Sequence, residues 1–114
     1  MLNQSLDRTF HALSDGTRRA ILKQLSKRSA SVTEVANPHA MTLPAIMQHL
    51  RVLEDSGLVR SEKIGRSRYF HVEPKALRVA ETWLTDRRSS WESHFDRLGK
   101  FLDRTHPELK RSRT

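Results

Sequence analysis

Glutamine, methionine and arginine side chains occur at helical spacing between residues 42 and 51. Gln48 can form two hydrogen bonds with an adenine edge, Met47 can pack against a thymine methyl group, and Arg51 can bind a guanine or a phosphate. Most exposed Gln and Arg side chains only solvate a helix, so residue type alone does not separate base contact from solvation. His49 leaves two interpretations open: a phosphate contact, or a partly buried, hydrogen-bonded ring.

A second group of cations follows shortly afterwards. Arg60, Lys63, Arg66 and Arg68 lie close together with a single acid, Glu62, among them. Strand-forming residues at 58–62 and 68–72 predict a hairpin, and a glycine at position 65 can take the turn within 63–67. Cations on a projecting turn suit a minor groove or flanking phosphates, although a charged turn is often only a soluble one.

Catalytic and metal-binding patterns are weak by comparison. The chain has four glycines and no cysteine, and it contains neither a nucleophile elbow nor a glycine-rich phosphate loop. Asp86 and His94 are eight residues apart, and His106 lies beyond the expected end of a helix. We therefore expect no enzyme activity, no cofactor and no metal, while a zinc site built from His94 and His106 of two subunits stays open.

Charge and size limit the class of protein. The 114 residues suit one domain, and 21 Lys and Arg against 13 Asp and Glu give a net charge of +8, which favours nucleic acid first and an anionic membrane second. A hydrophobic content of 36% is too high for a disordered polycation. We expect neither a membrane span nor a signal peptide, and hence a cytoplasmic protein.

Apolar spacing and helix caps predict four helices before the hairpin. Helix 1 has an apolar stripe of Leu2, Leu6, Phe10 and Leu13. Ser14 or Asp15 can cap helix 2, which buries Ile21, Leu22 and Leu25, exposes Arg18, Arg19 and Lys23, and ends near Ser26.

The next two helices are short and closely spaced. Residues 27–31 are expected to form a loop, and helix 3 contains Val32, Val35 and Ala36. Pro38 should end helix 3, because it disfavours helical geometry at Asn37. Thr42 can cap helix 4, with Pro44 in its first turn. Helix 4 should bury Ile46, Leu50 and Leu53 and leave Thr42, Met47, Gln48 and Arg51 on its free face.

A long helix is predicted from Pro74 to about Thr105. Its apolar seam contains Leu77, Ala80, Leu84, Trp91, Phe95, Leu98 and Leu102. Some 30 helical residues extend about 45 Å, more than so small a domain can cover, so part of the seam should meet a second subunit. We expect a single domain at residues 1–105 and a flexible basic tail at 106–114.

The order of these elements is that of a winged helix-turn-helix: a mainly α fold of five helices with a two-stranded wing. In this fold the second helix of the pair enters the major groove of DNA, which is about 12 Å wide. Here that helix is helix 4.

Two stretches resemble the ArsR family of bacterial transcription regulators. They are residues 12–22, ALSDGTRRAIL, and residues 41–59, MTLPAIMQHLRVLEDSGLV, and the resemblance extends over about residues 6–102. It implies a homodimeric repressor of a palindromic double-stranded DNA operator, dimerised through the first and last helices. The dimer contacts would be Leu2, Leu6, Phe10, Trp91, Phe95, Leu98 and Leu102. The DNA-facing residues would be Thr42, Pro44, Met47, Gln48, His49, Arg51, Lys63, Arg66 and Arg68. The cysteine ligands of the family's arsenic, cadmium and lead sensors are absent.

The sequence is also compatible with two other classes of function. A basic structural or RNA-binding protein would bind random duplexes, RNA and operators alike. A dimeric small-molecule sensor acting through protein contacts would not need the charges of the wing.

Overall fold

Five α-helices and three strands follow one another in the computed structural model, which describes residues 2–109 and the side chains of residues 4–109. In chain order they are α1 (Leu2–Leu13), α2 (Gly16–Lys27), β1 (Ala30–Ser31), α3 (Val32–Ala36), α4 (Leu43–Asp55), β2 (Val59–Ile64), β3 (Ser67–Val72) and α5 (Pro74–Thr105). The predicted five helices and the hairpin are therefore confirmed. None of the described helices is both long enough and apolar enough to cross a membrane.

The chain divides into two compact units, Met1–Ala80 and Glu81–Thr114. In the first unit, α1 to α4 and the sheet enclose a hydrophobic core. Its largest fully buried side chains include Ile21, Val35, Ile46, Leu50, Leu53, Leu58 and Val59. The inward positions predicted for α4 are thus confirmed. Phe70 joins this core from β3 and anchors the base of the hairpin.

The buried face of α1 differs from the predicted stripe. Thr9 and Ala12 are fully buried, whereas Leu6, Phe10 and Leu13 are only half-buried. Thr9 can enter the core because its hydroxyl donates to the carbonyl of Ser5 in the preceding turn, 3.1 Å away. The side chain of Leu2 lies outside the described residues.

Side-chain caps begin three of the helices. Asp15 and Thr42 accept hydrogen bonds from the backbone N–H groups of Arg18 and Ala45, as predicted for α2 and α4. Ser31 and Glu34 form a reciprocal capping box at α3. These caps pair backbone donors that the first turn of a helix cannot pair itself.

Two local predictions were wrong. Residues 30 and 31, expected to lie in a loop, form β1 and pair with Phe70 and Tyr69 of β3, because a partner strand far along the chain supplies their hydrogen bonds. Asn37 keeps helical angles, with φ −52° and ψ −47°, although it precedes proline. Its N–H donates to the carbonyl of Thr33, and this bond offsets the steric preference; α3 still ends at Ala36.

Strands β2 and β3 form an antiparallel hairpin, here called the wing (residues 59–72). Ile64 pairs with Ser67, so the strands are longer than predicted and only Gly65 and Arg66 form the turn. Gly65 has φ +66°, a conformation that two-residue hairpin turns require and that glycine adopts without strain. The sheet has the strand order β1-β3-β2.

Arg18 was predicted to face solvent, but only 9% of it is exposed. Its Nε donates to the carbonyl of Ala12 at 2.8 Å, and its Nη2 donates to the carbonyl of His11 at 3.0 Å. The last carbonyls of α1 have no partner within their own helix, and a cation at a helix C-terminus is favourable. The tight connection between α1 and α2 brings Arg18 to these carbonyls.

Helix α5 has the predicted bounds. Residues 107–109, predicted to belong to a flexible tail, form a single 3-10 turn closed by the Leu109 N–H and the His106 carbonyl. Proline favours such a turn because its φ is fixed in the helical range. The predicted tail residues 110–114 lie outside the described part of the chain.

Candidate nucleic-acid interface

Helix α4 presents one buried and one free face. Ile46, Leu50 and Leu53 fix the buried face in the core, and this orientation leaves four neighbouring side chains in solvent. They are Pro44, Met47, Gln48 and Arg51. Positions separated by three and four residues share a helix face. The structure therefore places together four of the residues predicted to face DNA.

Thr42 lies at the start of this face. Its Oγ1 accepts the Ala45 N–H at 3.3 Å, and its own hydroxyl hydrogen remains available for donation. Two exposed apolar side chains flank it, Met41 and Leu43, which the sequence analysis did not assign to the site. In the sequence, the only feature that indicates these two residues is their position on either side of the N-cap residue.

Gln24 of α2 fixes the turn that joins α3 to α4. Its Nε2 donates to the carbonyls of Glu34 and Val35, and its Oε1 lies 3.2 Å from Nε2 of His39. This amide thus connects the end of α3 with the turn after it. Gln24 was not predicted to take part in the site, because an isolated glutamine gives no sign of partners ten or more residues away.

His49 does not share the free face of α4. Only 16% of its side chain is exposed, and its Nδ1 lies 3.3 Å from Nη1 of Arg18 and 3.9 Å from Oδ2 of Asp15. Of the two interpretations left open, the geometry matches the partly buried, hydrogen-bonded ring. The backbone N–H of Arg18, which hydrogen-bonds the carboxylate, lowers the pKa of Asp15 below its usual value, and the His49 ring adds to this effect.

The wing holds cations on both of its faces. Lys63 and Arg68 pair directly across the strands, so their side chains share a face with Ser61 and Phe70. Arg60, on the other face, forms an ion pair with Glu73 at 3.4 Å. Arg66 lies at the tip of the turn and is exposed.

A cleft of about 170 Å³ separates α4 from the wing. Met47 and Arg51 line it from the helix, and Arg68 and Phe70 line it from β3. Predicted residues from α4 and from the wing therefore border one concave surface. Glu54 also lines this cleft and was not predicted.

Metal ligands do not cluster in the part of the chain that the structure describes: no group of three His, Cys, Asp or Glu side chains there could hold an ion. His106 lies 3.3 Å from Glu108. His94 is twelve positions before His106, which corresponds to about 18 Å along a helix axis. Both histidines of one chain therefore cannot bind the same ion.

The second unit has an exposed apolar surface on α5. Trp91 is 60% exposed, Phe95 68%, Leu98 41% and Phe101 51%. Leu102, also predicted as a dimer contact, is half-buried. Phe101 was not predicted as part of the seam, although it lies three residues after Leu98 and hence beside it on the helix.

Comparison with known proteins agrees with this arrangement. Residues 13–62 match the family model of a helix-turn-helix domain. The HTH-type transcriptional regulator Rv2034 of Mycobacterium tuberculosis is 38% identical over 79 residues, which are 69% of this chain and 74% of that protein.

Solved structures show the same fold. The crystal structure of the ArsR family transcriptional regulator RHA00566 is 43% identical and superimposes with a TM-score of 0.75 over 80% of this chain and 94% of that one. Mb0332 of Mycobacterium bovis, a homodimeric winged helix-turn-helix DNA-binding domain, is 24% identical, with a TM-score of 0.64 over 82% of this chain and 87% of that one. At this identity the second likeness concerns the fold alone. With a helix-turn-helix, a wing, and relatives of this identity and coverage, the chain belongs to the ArsR family of winged helix-turn-helix transcriptional regulators.

Proposed function

We propose that this regulator is a homodimeric repressor that binds a palindromic DNA operator, with α4 in the major groove and the wing on flanking DNA. The observation that carries the proposal is the cleft where Met47 and Arg51 of the free face of α4 meet Arg68 of the wing. Its place of action would be the cytoplasm, where a bacterial chromosome lies.

Base reading is assigned to the free face of α4. Gln48 supplies an amide for an adenine edge, Met47 an apolar contact for thymine, and Arg51 a cation for guanine or phosphate. All three are exposed. His49 is left out of the proposed contact surface, because Arg18 and Asp15 occupy its Nδ1 side. It instead orients α4.

Dimerisation is assigned to α5 and α1. An exposed row of two aromatic and one aliphatic side chain, Trp91, Phe95 and Leu98, is unusual on a surface unless another molecule covers it. A second copy can cover it under two-fold symmetry. Two copies of α4 would then meet two half-sites about 34–36 Å apart, and the operator would be palindromic.

The signal is proposed not to be a thiophilic metal ion. Soft ions are bound chiefly by thiolates, and the chain contains no cysteine. The proposal therefore makes DNA release independent of arsenite, cadmium and lead.

Selection of bound fragments from the organism's own genome, beginning with the DNA upstream of its own gene, tests this function. We expect enrichment of fragments with dyad symmetry and increased transcription of the adjacent gene when the regulator is deleted. Enrichment without dyad symmetry would contradict a palindromic operator. Decreased transcription after deletion would show an activator instead of a repressor.

A further inference from the structure

The cleft between α4 and the wing has an excess of positive charge. Lys63 and Arg68 are directly opposite each other across the strands, an arrangement in which like charges repel. Arg51 lines the same cleft as Arg68, from the helix side. A bound anion would relieve this repulsion, and a cleft of about 170 Å³ can admit a phosphate group.

Arg68 is held at this cleft by two further side chains. Its Nη1 donates to Oγ of Ser61 at 3.0 Å, and Oγ of Ser61 donates to Oε2 of Glu54 at 2.8 Å. The direction of both bonds is fixed, because a guanidinium can only donate and a carboxylate can only accept. The three residues, here called the Glu54–Ser61–Arg68 network, therefore connect the last turn of α4 with both strands of the wing.

We propose that this cleft binds one backbone phosphate of DNA, and that Ser61 and Glu54 are positioning residues which direct Arg68 to it. This inference rests on the proposed DNA-binding function. One N–H of the guanidinium is used by Ser61, and four remain, enough for a two-point contact with phosphate oxygens. Arg51, which lines the same cleft, and Lys63, which pairs with Arg68 across the strands, supply the additional charge.

The network also explains why an acidic residue, Glu54, lines a cleft that is proposed to bind a DNA phosphate. Glu54 lines the cleft, and by simple electrostatics its charge should weaken DNA binding. Its hydrogen bond from Ser61 gives it a different role. Removing Glu54 should therefore weaken binding, opposite in sign to the effect of charge alone. Asp55 is the matched control, because it is exposed, adjacent and equally charged.

The test measures binding of the full-length protein to its selected operator and to a random duplex of equal length, over a range of salt concentrations. Ser61→Ala should weaken binding to both duplexes about three- to tenfold, the size expected for the loss of one ordinary hydrogen bond. Arg68→Ala should weaken it more and lower the salt slope by about one. In the Arg68→Ala background, Ser61→Ala should have no further effect.

Two comparisons separate positioning from a general structural effect. Ser61→Thr keeps the hydroxyl and should restore binding. In the Arg66→Ala background, where the lost cation is at the tip and outside the network, Ser61→Ala should keep its full effect. Glu54→Ala should weaken binding, whereas Asp55→Ala should not.

Phosphate-ethylation interference identifies the phosphate itself. One modified phosphate per half-site should block the wild-type protein but have little additional effect on the Arg68→Ala protein. Three results would each contradict the proposed phosphate cleft. The affinity losses of Ser61→Ala and Arg68→Ala could multiply in the double variant, or Ser61→Thr could bind DNA as weakly as Ser61→Ala. The third such result is an identical interference pattern for the wild-type and Arg68→Ala proteins. If the wild-type protein binds neither duplex, it is the DNA-binding function that fails.

Discussion

Nη1 of Arg18 lies 3.3 Å from Nδ1 of His49 and joins the start of α2 to the middle of α4. Since a guanidinium only donates, Nδ1 of His49 accepts this hydrogen bond. The same guanidinium holds the last carbonyls of α1. One buried cation thus fixes three helices, and the orientation of α4 depends on a residue outside the helix-turn-helix.

Arg18→Met should lower the free energy of unfolding by about 2–4 kcal/mol, because the buried carbonyl of Ala12 loses its donor and Nδ1 of His49 loses its partner. Arg19→Met is the matched control. Arg19 is exposed and donates one hydrogen bond, to the carbonyl of Leu13, so its loss should cost less than about 1 kcal/mol. Urea unfolding at fixed protein concentration measures both. Equal losses would show that the Arg18 contacts do not stabilise the fold.

The capping carboxylate of Asp15 should make stability depend on pH in acid. Its pKa is lowered in the folded chain, chiefly by the Arg18 backbone N–H, so its contribution is complete above the ordinary pKa and is lost as pH falls toward the lowered one. Asn caps helices equally well but does not titrate. Below about pH 4, the melting temperature of wild type should therefore fall more steeply than that of Asp15→Asn. Glu34 has a similarly lowered pKa, caused by Ser31, but it is present in both proteins. An equal fall in melting temperature with pH for the two proteins would show that the Asp15 carboxylate does not cause the acid dependence.

Gln48→Ala should weaken operator binding by about 1–3 kcal/mol and leave binding to random DNA nearly unchanged, because a base contact is lost and no charge is. Arg66→Ala should weaken binding to both, with a salt slope lower by about one. Titrations of both duplexes at several salt concentrations provide the measurement. An equal loss on both duplexes for Gln48→Ala would show that this residue does not read bases.

Phe95→Glu should convert the proposed dimer to monomer, since a charge would be buried in an apolar contact. Ser93→Glu introduces the same charge two residues away, about 200° around the helix by the 3.6-residue repeat, and should leave the dimer intact. Sedimentation velocity at micromolar concentration distinguishes the two species. A stable folded monomer of the unaltered protein would disprove the proposed dimer.

Micromolar arsenite, cadmium or lead should leave operator affinity unchanged, because the chain offers no thiolate. Zinc is a separate arm of the experiment: an ion shared by His94 and His106 would require one histidine from each subunit. Operator titrations in chelator-treated buffer, with and without each ion, decide the matter. A tenfold loss of affinity, or about 1.4 kcal/mol of coupling, would show that metal regulates DNA binding and would direct mutagenesis to these histidines first.

Local signals in the sequence were sufficient for much of the fold. The bounds of α5, the caps at Asp15 and Thr42, and the turn at Gly65 all follow from neighbouring residues. The apolar spacing in α4 likewise predicted its buried face, and the free face is the opposite side of the same helix. Such features need no knowledge of distant contacts.

The missed features depend on contacts between distant parts of the chain. Strand β1 exists only because β3 lies beside it, and two residues carry too little pattern to predict it. Arg18 has the composition of a surface residue, and its burial depends on the angle between α1 and α2. The partnership of Ser61 with Glu54 and Arg68 likewise appears only once the hairpin has folded back on α4.

Ser31 is both the second residue of β1, paired with Tyr69, and the N-cap of α3. Strand β1, which pairs with the wing, and the start of the helix-turn-helix therefore share one residue, with no spacer to absorb a shift. The tip at Gly65 and Arg66, by contrast, projects from the end of the strands. Insertions in related sequences should accumulate at the tip and be rare beside Ser31. The length of the wing should therefore vary between relatives, whereas its orientation relative to the helix-turn-helix should not.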